Sequence, residues 1–281
     1  MKQPLTPAQA VPASSSQSPS SPPSSLPTKP SKKSLSSVQL AEVAIVLPVY
    51  NEEACISRTL EAIRDYLQTH PNYTFIFVND GSSDRTKEIL STYLQVSKTG
   101  RLQLLSYDQR GGKGYAIKTG MAYAESEYIC FFDSDLAYAL EHLDALVEKL
   151  QVCDVVIGCR NLVPRYLQGI RWQRKLAGKI YNLASRVFLN LPFRDMQAGL
   201  KGFRREKAKA LFARQHLLGF SFDVELMYLA KKWGFSIGEI PARVSDSHQV
   251  KVSKVNLVED SLKMLRDLFR IRLNDVLGRY R

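Results

Sequence analysis

The chain has 281 residues, 44% of them hydrophobic, which suits one large domain or two small ones. Its formal net charge of +12 would suit nucleic acid, anionic lipid or phosphorylated partners, but no nucleic-acid module signature occurs, so nucleic acid is not expected. The four cysteines form no Cys-x-x-Cys pair, which favours reduced thiols over disulfides or zinc. No apolar run reaches the ~18 residues that span a bilayer.

The N-terminal residues differ in composition from the rest. Residues 2–37 are rich in Ser and Pro and contain no acidic and no aromatic residue. Such a segment cannot bury enough apolar surface to offset its ordering entropy, so residues 1–39 are predicted to be a disordered tail. The tail has no apolar h-region and is therefore not predicted to be a secretory signal. A main domain, 40–250, and a C-terminal basic amphipathic helix, 251–281, follow it.

Strands and helices alternate through the first half of the main domain. Apolar runs predict strands at 43–47, 73–78, 102–106, 127–132 and 154–158, and Pro48 ends the first of them. Helical spacing predicts helices at 54–67, 85–95, 113–124 and 140–150, and Ser83 or Asp84 is expected to cap the second. Short links between alternating elements indicate a doubly wound, mainly parallel α/β sheet.

The second half is predicted to be mostly helical. Helices are expected at 172–191, 221–233 and 255–277, with a strand at 235–244. The last helix carries an apolar stripe formed by Val258, Leu262, Leu265, Phe269, Leu273 and Val276, while Lys263, Arg266, Arg270 and Arg272 lie around it. Either the stripe packs on the core and the charges face solvent, or the helix lies at the surface of an anionic membrane.

Asp133-Ser134-Asp135 directly follows the fourth predicted strand. In open α/β sheets, ligands bind beyond the carboxyl ends of the strands. Two carboxylates placed there repel each other unless a cation or a donor neutralises them. Mg²⁺ or Mn²⁺ carrying a diphosphate would do so, because these ions prefer carboxylate and phosphate oxygens. The motif therefore predicts a metal site at Asp133 and Asp135.

Three further loops should reach the same edge of the sheet, at 48–53, 79–84 and 110–114. The Asp80 carboxylate can accept hydrogen bonds from a base or ribose, and Glu52 could bind the nucleotide or favour its own helix dipole. Lys113 among three glycines at a helix N-terminus suits a diphosphate. The chain has no Gly-x-x-x-x-Gly-Lys-Ser/Thr and no Gly-x-Gly-x-x-Gly after the first strand, which argues against a P-loop NTPase and a dehydrogenase.

These motifs resemble the family 2 glycosyltransferases of the GT-A fold, and within them the dolichyl-phosphate (polyprenyl-phosphate) glucose and mannose synthases. The resemblance covers residues 43–272 and continues through the segments at 156–160, 171–174, 195–205, 219–226 and 253–254. It implies a Rossmann-like, mainly parallel sheet flanked by helices, in which residues 40–250 form the GT-A domain and a C-terminal amphipathic helix follows.

The resemblance also implies roles for single residues. The nucleotide-sugar would be bound by Pro48, Tyr50, Glu52, Asp80, Lys113, Asp133, Asp195 and Gln197. A lipid phosphate would be gripped by Arg160, Arg174 and Lys254. The catalytic group would be Asp133, Asp135, Arg160 and Arg174, with Mg²⁺ or Mn²⁺ on the two aspartates. Ala137 stands where mannose synthases typically have glutamine, which favours UDP-glucose over GDP-mannose as the donor.

The expected reaction is an inverting transfer of a hexose from a nucleotide-sugar to a polyprenyl or dolichyl phosphate, by a protein peripherally bound to the cytoplasmic membrane face. Such an acceptor is already an anion and needs little help from a general base. An alternative is transfer to a saccharide or another hydroxyl acceptor, for which Asp223 or Glu225 are candidate bases, although a structural role at a helix start is expected for both. A non-catalytic module that binds nucleotide or lipid is the third hypothesis.

Overall fold

The computed structural model describes residues 41–97, 99–163, 172–245 and 257–281, all within one compact unit, Leu40–Arg281. The predicted tail lies outside the described residues. The strands are β1 (Val43–Val49), β2 (Tyr73–Asp80), β3 (Leu102–Tyr107), β4 (Tyr128–Phe132), β5 (Val155–Cys159), β6 (Leu200–Arg204) and β7 (Ile237–Pro241). The helices are α1 (Ile56–Thr69), α2 (Thr86–Ser97), α3 (Lys113–Tyr123), α4 (His142–Leu150), α5 (Trp172–Leu189), α6 (Arg205–Ala213), α7 (Phe222–Lys232) and α8 (Leu257–Val276), with a 3₁₀ turn at Arg160–Leu162.

The strands form one sheet in the order β3-β2-β1-β4-β6-β5-β7. Pairing is parallel except that β6 runs antiparallel to both of its neighbours, β4 and β5. The predicted mainly parallel α/β sheet is therefore confirmed. The carboxyl ends of β1, β2 and β4 meet at one edge, because the three strands are adjacent and parallel.

The sheet separates two apolar layers. On β1, Ala44 and Val46 pack in the layer that contains α3, α6 and α7, whereas Val43, Ile45 and Leu47 pack in the layer that contains α1 and α4. Successive side chains of a strand point to opposite faces, so a strand covered on both sides reads as a continuous apolar run. This is why the inner strands were visible in the sequence.

Three features of the fold differ from the prediction. Pro48 continues β1, paired in register with Val78 of β2. The pairing of β1 with β4 ends at Val46, before Pro48. Proline has no backbone N–H, and it is tolerated at this position because no β4 residue pairs with it. Neither β6 nor α6 was predicted, because Lys201 and Gly202 interrupt the apolar pattern of β6. The predicted strand at 235–244 is shorter, with Val244 in an isolated bridge to Tyr138.

Helix α8 packs through a face other than the predicted stripe. Leu268 and Ile271 are buried, while the stripe residues Phe269, Leu273 and Val276 are 63%, 56% and 82% exposed. Leu268 and Ile271 lie outside the predicted stripe, and both pack in the core. In the described parts of the chain, no helix combines the length and apolar character needed to cross a membrane.

Candidate active site

An ion pair lies at the centre of the edge where β1, β2 and β4 end. Lys113 Nζ, from the first residue of α3, lies 2.6 Å from Asp133 Oδ1, directly after β4. Burial lowers the pKa of Lys113, but the carboxylates of Asp133, Asp223 and Asp135 outweigh that effect and raise it above its ordinary value. The charged form of the lysine is therefore favoured beside the two predicted metal ligands.

The backbone after β4 is fixed in a strained turn. The Asp133 N–H donates to Gly199 O at 3.0 Å, and the Asp135 Oδ1 accepts the N–H of Ala137 at 3.1 Å. Leu136 has a φ of 52°, which is rare for a leucine. A Cβ at position 199 would lie 1.8 Å from Asp133 Oδ2, so only glycine leaves room for that carboxylate. The turn thus presents both carboxylates in a defined arrangement.

Asp80 organises the glycine loop from the end of β2. Its Oδ1 accepts the hydroxyl of Tyr107 at 2.8 Å and the N–H of Gly111 at 2.7 Å, and its Oδ2 accepts the N–H of Gly112 at 2.9 Å. The Asp80 residue is 3% exposed. These contacts show that Asp80 holds the loop that carries Lys113. Its predicted contact with the base stays a prediction.

The N-terminus of α3 is already occupied by protein. Leu218 O accepts the N–H groups of Gly114 at 2.9 Å and Tyr115 at 3.3 Å. Together with the two amides bonded to Asp80, these donors are turned away from an anion. The expectation that this helix N-terminus offers its N–H groups to a diphosphate is therefore wrong for these four residues. No pattern in the sequence indicates the distant turn at Leu218. Contact of the Lys113 cation with a diphosphate stays a prediction.

The loops after β1 and β2 are joined by hydrogen bonds. The N–H of Asn51 donates to Ser82 Oγ at 3.0 Å, and the N–H of Glu52 donates to Thr86 Oγ1 at 2.9 Å. Asp84 accepts the Thr86 N–H at 3.0 Å, which confirms its predicted capping role. These bonds fix the backbone that carries the predicted nucleotide-binding residues Pro48, Tyr50 and Glu52.

Tyr50 also contacts the glycine loop. The guanidinium of Arg110 stacks 4.0 Å from the centre of the Tyr50 ring. This cation–π contact joins the loop after β1 to the loop before α3. Tyr50, Asp80 and Lys113 are therefore held by loops that contact one another.

Arg160 and Asp195 form a bidentate pair beyond β5. Arg160 donates Nε to Asp195 Oδ2 at 2.6 Å and Nη2 to Oδ1 at 2.8 Å. Burial would raise the pKa of Asp195, but the hydrogen bonds and charge of Arg160 hold it below its usual range. Asp195 also accepts the N–H of Gln197 at 3.2 Å. Asp195 is thus a residue that orients Arg160, and its predicted contact with the donor sugar, like that of Gln197, stays a prediction.

The two carboxylates considered as bases are buried and engaged. Asp223 Oδ1 accepts Lys201 Nζ at 2.7 Å, and the Lys201 side chain has no exposed surface. Burial raises the pKa of Asp223 and lowers that of Lys201, against their mutual attraction. Glu225, also fully buried, accepts the N–H groups of His216 and Leu217 and the hydroxyl of Tyr280. Both acids therefore have structural contacts.

Tyr138 connects the two sides of the site. It is 3% exposed and interacts electrostatically with Asp133, Arg160 and Asp195; burial is the main cause of its raised pKa. The Ser245 N–H donates to Ala137 O at 2.8 Å, so the segment that enters the predicted acceptor loop starts beside the Asp135 turn. Lys254 itself lies outside the described residues. Arg174 is in the first turn of α5, and its role stays a prediction.

The site fits a metal that is shared with a substrate. The described parts of the chain contain no cluster of three or more His, Cys, Asp or Glu side chains that could hold an ion. Asp133 and Asp135 supply hard oxygen ligands, and Mg²⁺ usually binds through one or two carboxylates together with substrate phosphates. The donor set therefore suits a divalent cation held jointly by these two residues and a diphosphate.

This fold and charge arrangement define the class of α/β proteins that bind ligands beyond the carboxyl ends of their parallel strands. The chain belongs to the Glycosyl transferase family 2, whose family model matches residues 44–212, and it is therefore a glycosyltransferase enzyme with the GT-A fold. The predicted resemblance to this family is confirmed.

Three similar proteins illustrate the relationship. The dolichyl-phosphate beta-glucosyltransferase of Dictyostelium discoideum is 26% identical, over 84% of this chain and 75% of that protein. Glycosyltransferase AglD of Haloferax volcanii is 31% identical, over 82% of this chain but 36% of its own length. The structure of glucosyl-3-phosphoglycerate synthase from Mycobacterium tuberculosis with Mn²⁺, UDP and phosphoglyceric acid matches with a TM-score of 0.57 at 18% identity, covering 85% of this chain and 78% of that one.

Sequence reasoning missed several residues that shape the site. Gly199, Lys201 and Leu218 position Asp133, Asp223 and the start of α3, respectively. Lys201 carried a usable signal, because a lysine between Leu200 and Phe203 on a short apolar segment implies a buried partner. Leu218 acts through its backbone carbonyl and leaves no such signal.

Proposed function

We propose that this enzyme transfers a hexose from a nucleotide-sugar, with UDP-glucose favoured and GDP-mannose next, to a polyprenyl or dolichyl phosphate. The observation that carries the proposal is the burial of Asp223 and Glu225, which are 4% and 0% exposed and bonded to protein donors. A hydroxyl acceptor would need a base in this half of the site. A phosphate acceptor is already an anion and needs none. Dolichyl-phosphate beta-glucosyltransferases among the similar proteins support the same acceptor.

In the proposed reaction, an oxygen of the acceptor phosphate attacks the anomeric carbon while the bond to the nucleoside diphosphate breaks. The displacement is in line, so an α-linked donor gives a β-linked product. Asp133 and Asp135 would hold Mg²⁺ or Mn²⁺, which supplies charge neutralisation for the leaving diphosphate. Lys113, 2.6 Å from Asp133, adds a fixed cation at the same place. Tyr50 and Asp80 would position the base.

The acceptor phosphate would bind on the opposite side of the site. Arg160 keeps 28% of its side-chain surface exposed while Asp195 fixes its guanidinium plane. Arginine suits this role because its planar donors match phosphate oxygens. Arg174 and Lys254 would contribute further positive charge, so that the acceptor approaches a site opposite the metal-binding carboxylates.

An exposed apolar surface, here called the α5–α8 face, is proposed to contact the membrane that holds the lipid acceptor. It comprises Ile180, Leu183, Val187 and Phe188 of α5 and Leu262, Phe269, Leu273, Val276 and Leu277 of the α8 region, each at least 37% exposed. Phe188 and Phe269 join the two helices, with ring centroids 4.6 Å apart. Basic residues beside an apolar face favour an anionic bilayer. The contact would be peripheral, on the cytoplasmic face.

The acceptor class is tested by offering one donor with polyprenyl phosphate, the matching unphosphorylated polyprenol, and phosphoglyceric acid. Transfer to polyprenyl phosphate alone is the expected result. Equal transfer to the polyprenol would require a base that deprotonates a hydroxyl, and would contradict the proposal. Transfer to phosphoglyceric acid alone would assign a water-soluble acceptor instead.

A further inference from the structure

The start of α3, which carries Lys113, rests on a turn formed by residues 215–219, here called the 215–219 turn. Leu218 O accepts the N–H groups of Gly114 and Tyr115 at 2.9 and 3.3 Å. The side-chain amide of Gln215 donates to Gly114 O at 3.0 Å, and Lys118 Nζ donates to Gln215 O at 2.8 Å. Four hydrogen bonds therefore join the 215–219 turn to the first turns of α3.

The glycine loop and the 215–219 turn lie in close backbone contact. A Cβ on Gly112 would lie 2.7 Å from Leu218 O, and one on Gly114 would lie 2.9 Å from both Leu218 O and the Phe222 Cβ. Contacts below 3.0 Å force a shift of the backbone, because the opposing atoms are not at the end of a flexible side chain. The position of the turn consequently determines the path of the loop that presents Lys113.

Glu225 and Tyr280 stabilise the 215–219 turn by hydrogen bonds on the side away from α3. The Glu225 Oε2 accepts the Leu217 N–H at 2.8 Å, and both carboxylate oxygens accept the His216 N–H at 3.1 Å. The Tyr280 hydroxyl, from the segment after α8, donates to Glu225 Oε1, and neither residue has exposed surface. Burial raises the pKa of Glu225, and the donors around it oppose that rise.

We infer that Tyr280 and Glu225 are positioning residues for the donor diphosphate. The path runs from the Tyr280 hydroxyl to Glu225, through the 215–219 turn to Gly114, and ends at the Lys113–Asp133 pair. This inference rests on the proposed function, because it takes Lys113 and Asp133 to be the diphosphate site. Neither positioning residue touches the donor, so both act through the lysine-bearing loop.

Binding of UDP and of GDP to the full chain with Mn²⁺, measured by calorimetry, tests the inference. Tyr280→Phe removes only the hydroxyl, and Glu225→Gln replaces an acceptor oxygen with an NH₂ group. Each is expected to raise the Kd of the preferred nucleotide by about five- to tenfold, less than the full effect of losing a hydrogen bond to a charged group, because the change reaches the nucleotide through the turn. The turnover number at saturating donor should change much less than the donor KM.

Tyr228→Phe is the matched control. The Tyr228 hydroxyl of α7 donates to Asp275 of α8, so the change removes a hydrogen bond between α7 and the C-terminal region but none that leads to the 215–219 turn. It should lower the melting temperature about as much as Tyr280→Phe while leaving the nucleotide Kd unchanged.

Unchanged Kd values in Tyr280→Phe, with binding by the wild type intact, would overturn the inference, and so would an equal rise in Tyr228→Phe. If neither UDP nor GDP binds the wild-type chain, the assignment of the diphosphate site is wrong, and the inference about Tyr280 and Glu225 is wrong as well. If the wild type binds and the variants bind equally well, only the inference is wrong. If Glu225→Gln does not fold, Tyr280→Phe still decides, because it leaves the size of the buried ring unchanged.

Discussion

At the scale of single residues, the candidate site is defined by the charged side chains at the carboxyl ends of the strands. Lys113 and Asp133 are paired at 2.6 Å, with Asp135 two residues further on. Because the lysine neutralises one carboxylate, the two aspartates are stable next to each other without a metal. One lysine beside two carboxylates still leaves negative charge, so a cation that arrived with a diphosphate would meet a negative site, and the leaving group would gain two positive partners.

Asp135→Asn is expected to lower metal-dependent turnover by at least about 100-fold while the fold stays intact, since it removes a charged oxygen ligand from a partly exposed turn. Turnover is measured over a Mn²⁺ titration, and folding by circular dichroism. Asp65→Asn, on the exposed side of α1, is the matched control. Turnover equal to the wild type would show that Asp135 is not a metal ligand, and an unfolded Asp135→Asn variant would show that Asp135 is needed for the fold.

Asp195 gives a prediction with a defined pH dependence. Its pKa is lowered in the folded state, so the stability it contributes is present above about pH 4 and is lost as the pH falls through the folded-state value. Asp195→Asn should therefore lower the free energy of unfolding by about 1–3 kcal/mol at pH 7. Urea denaturation of both proteins from pH 7 to pH 3 should show the difference shrinking below about pH 4. A difference that grows on acidification would contradict the assignment.

At the scale of elements, the unpredicted strand β6 joins the two halves of the sheet. Its Lys201 is fully buried and bonded to Asp223 of α7 and to Ala198 O, next to the glycine that makes room for Asp133. The pair thus ties β6 and α7 together beneath the site. Removing one member of such a pair leaves an uncompensated buried charge.

Lys201→Met should lower the free energy of unfolding by about 3–5 kcal/mol. The double variant Lys201→Met with Asp223→Leu should recover most of that loss, because both buried charges are gone. Guanidinium denaturation of the two variants and the wild type gives the comparison. A double variant as unstable as the single one would mean that the lysine stabilises β6 by something other than this ion pair.

Helices and strands with a regular apolar pattern could be predicted from the sequence, whereas elements without such a pattern could not. Strands β1 to β5 and helices α1 to α4 were found within about two residues, because the inner strands are covered on both faces and the helices have regular apolar spacing. Strand β6 was missed, since its charge and its glycine hide a five-residue segment. The apolar stripe of α8 could be identified from the sequence, but whether it faces the core or the solvent could not. Leu268 and Ile271 form a second apolar line on the helix, and these two residues are buried.

Prediction of the site followed the same pattern. The carboxylates and the lysine at the strand ends could be identified from their place in the sequence, and Lys113 and Asp133 do meet. The role of the backbone could not be identified. Asp80 and Leu218 accept the N–H groups that were expected to face an anion, and Leu218 lies more than 90 residues after the end of α3 in the sequence.

At the scale of the molecule, the proposed function requires the strand-end site and the α5–α8 face to serve one reaction at a membrane. Val187 and Val276 are 75% and 82% exposed on that face, whereas Val96, 79% exposed, lies on α2 in the opposite layer. Val187→Glu and Val276→Glu should each weaken binding to anionic vesicles by about tenfold, from the lost burial of one valine side chain. Vesicle sedimentation measures this. Val96→Glu should bind like the wild type, and equal loss in all three would rule out the face.

Transfer of radiolabelled sugar into an organic-extractable lipid is the direct test of whether the acceptor is a polyprenyl phosphate. The full chain is incubated with a polyprenyl phosphate, Mg²⁺ or Mn²⁺, and in separate reactions UDP-glucose, GDP-mannose and other nucleotide-sugars. We predict label in the lipid fraction from UDP-glucose, dependent on the metal and lost in Asp135→Asn. Absence of a labelled lipid with every donor, while the chain still binds nucleotide and metal, would contradict the account and assign the enzyme a different acceptor.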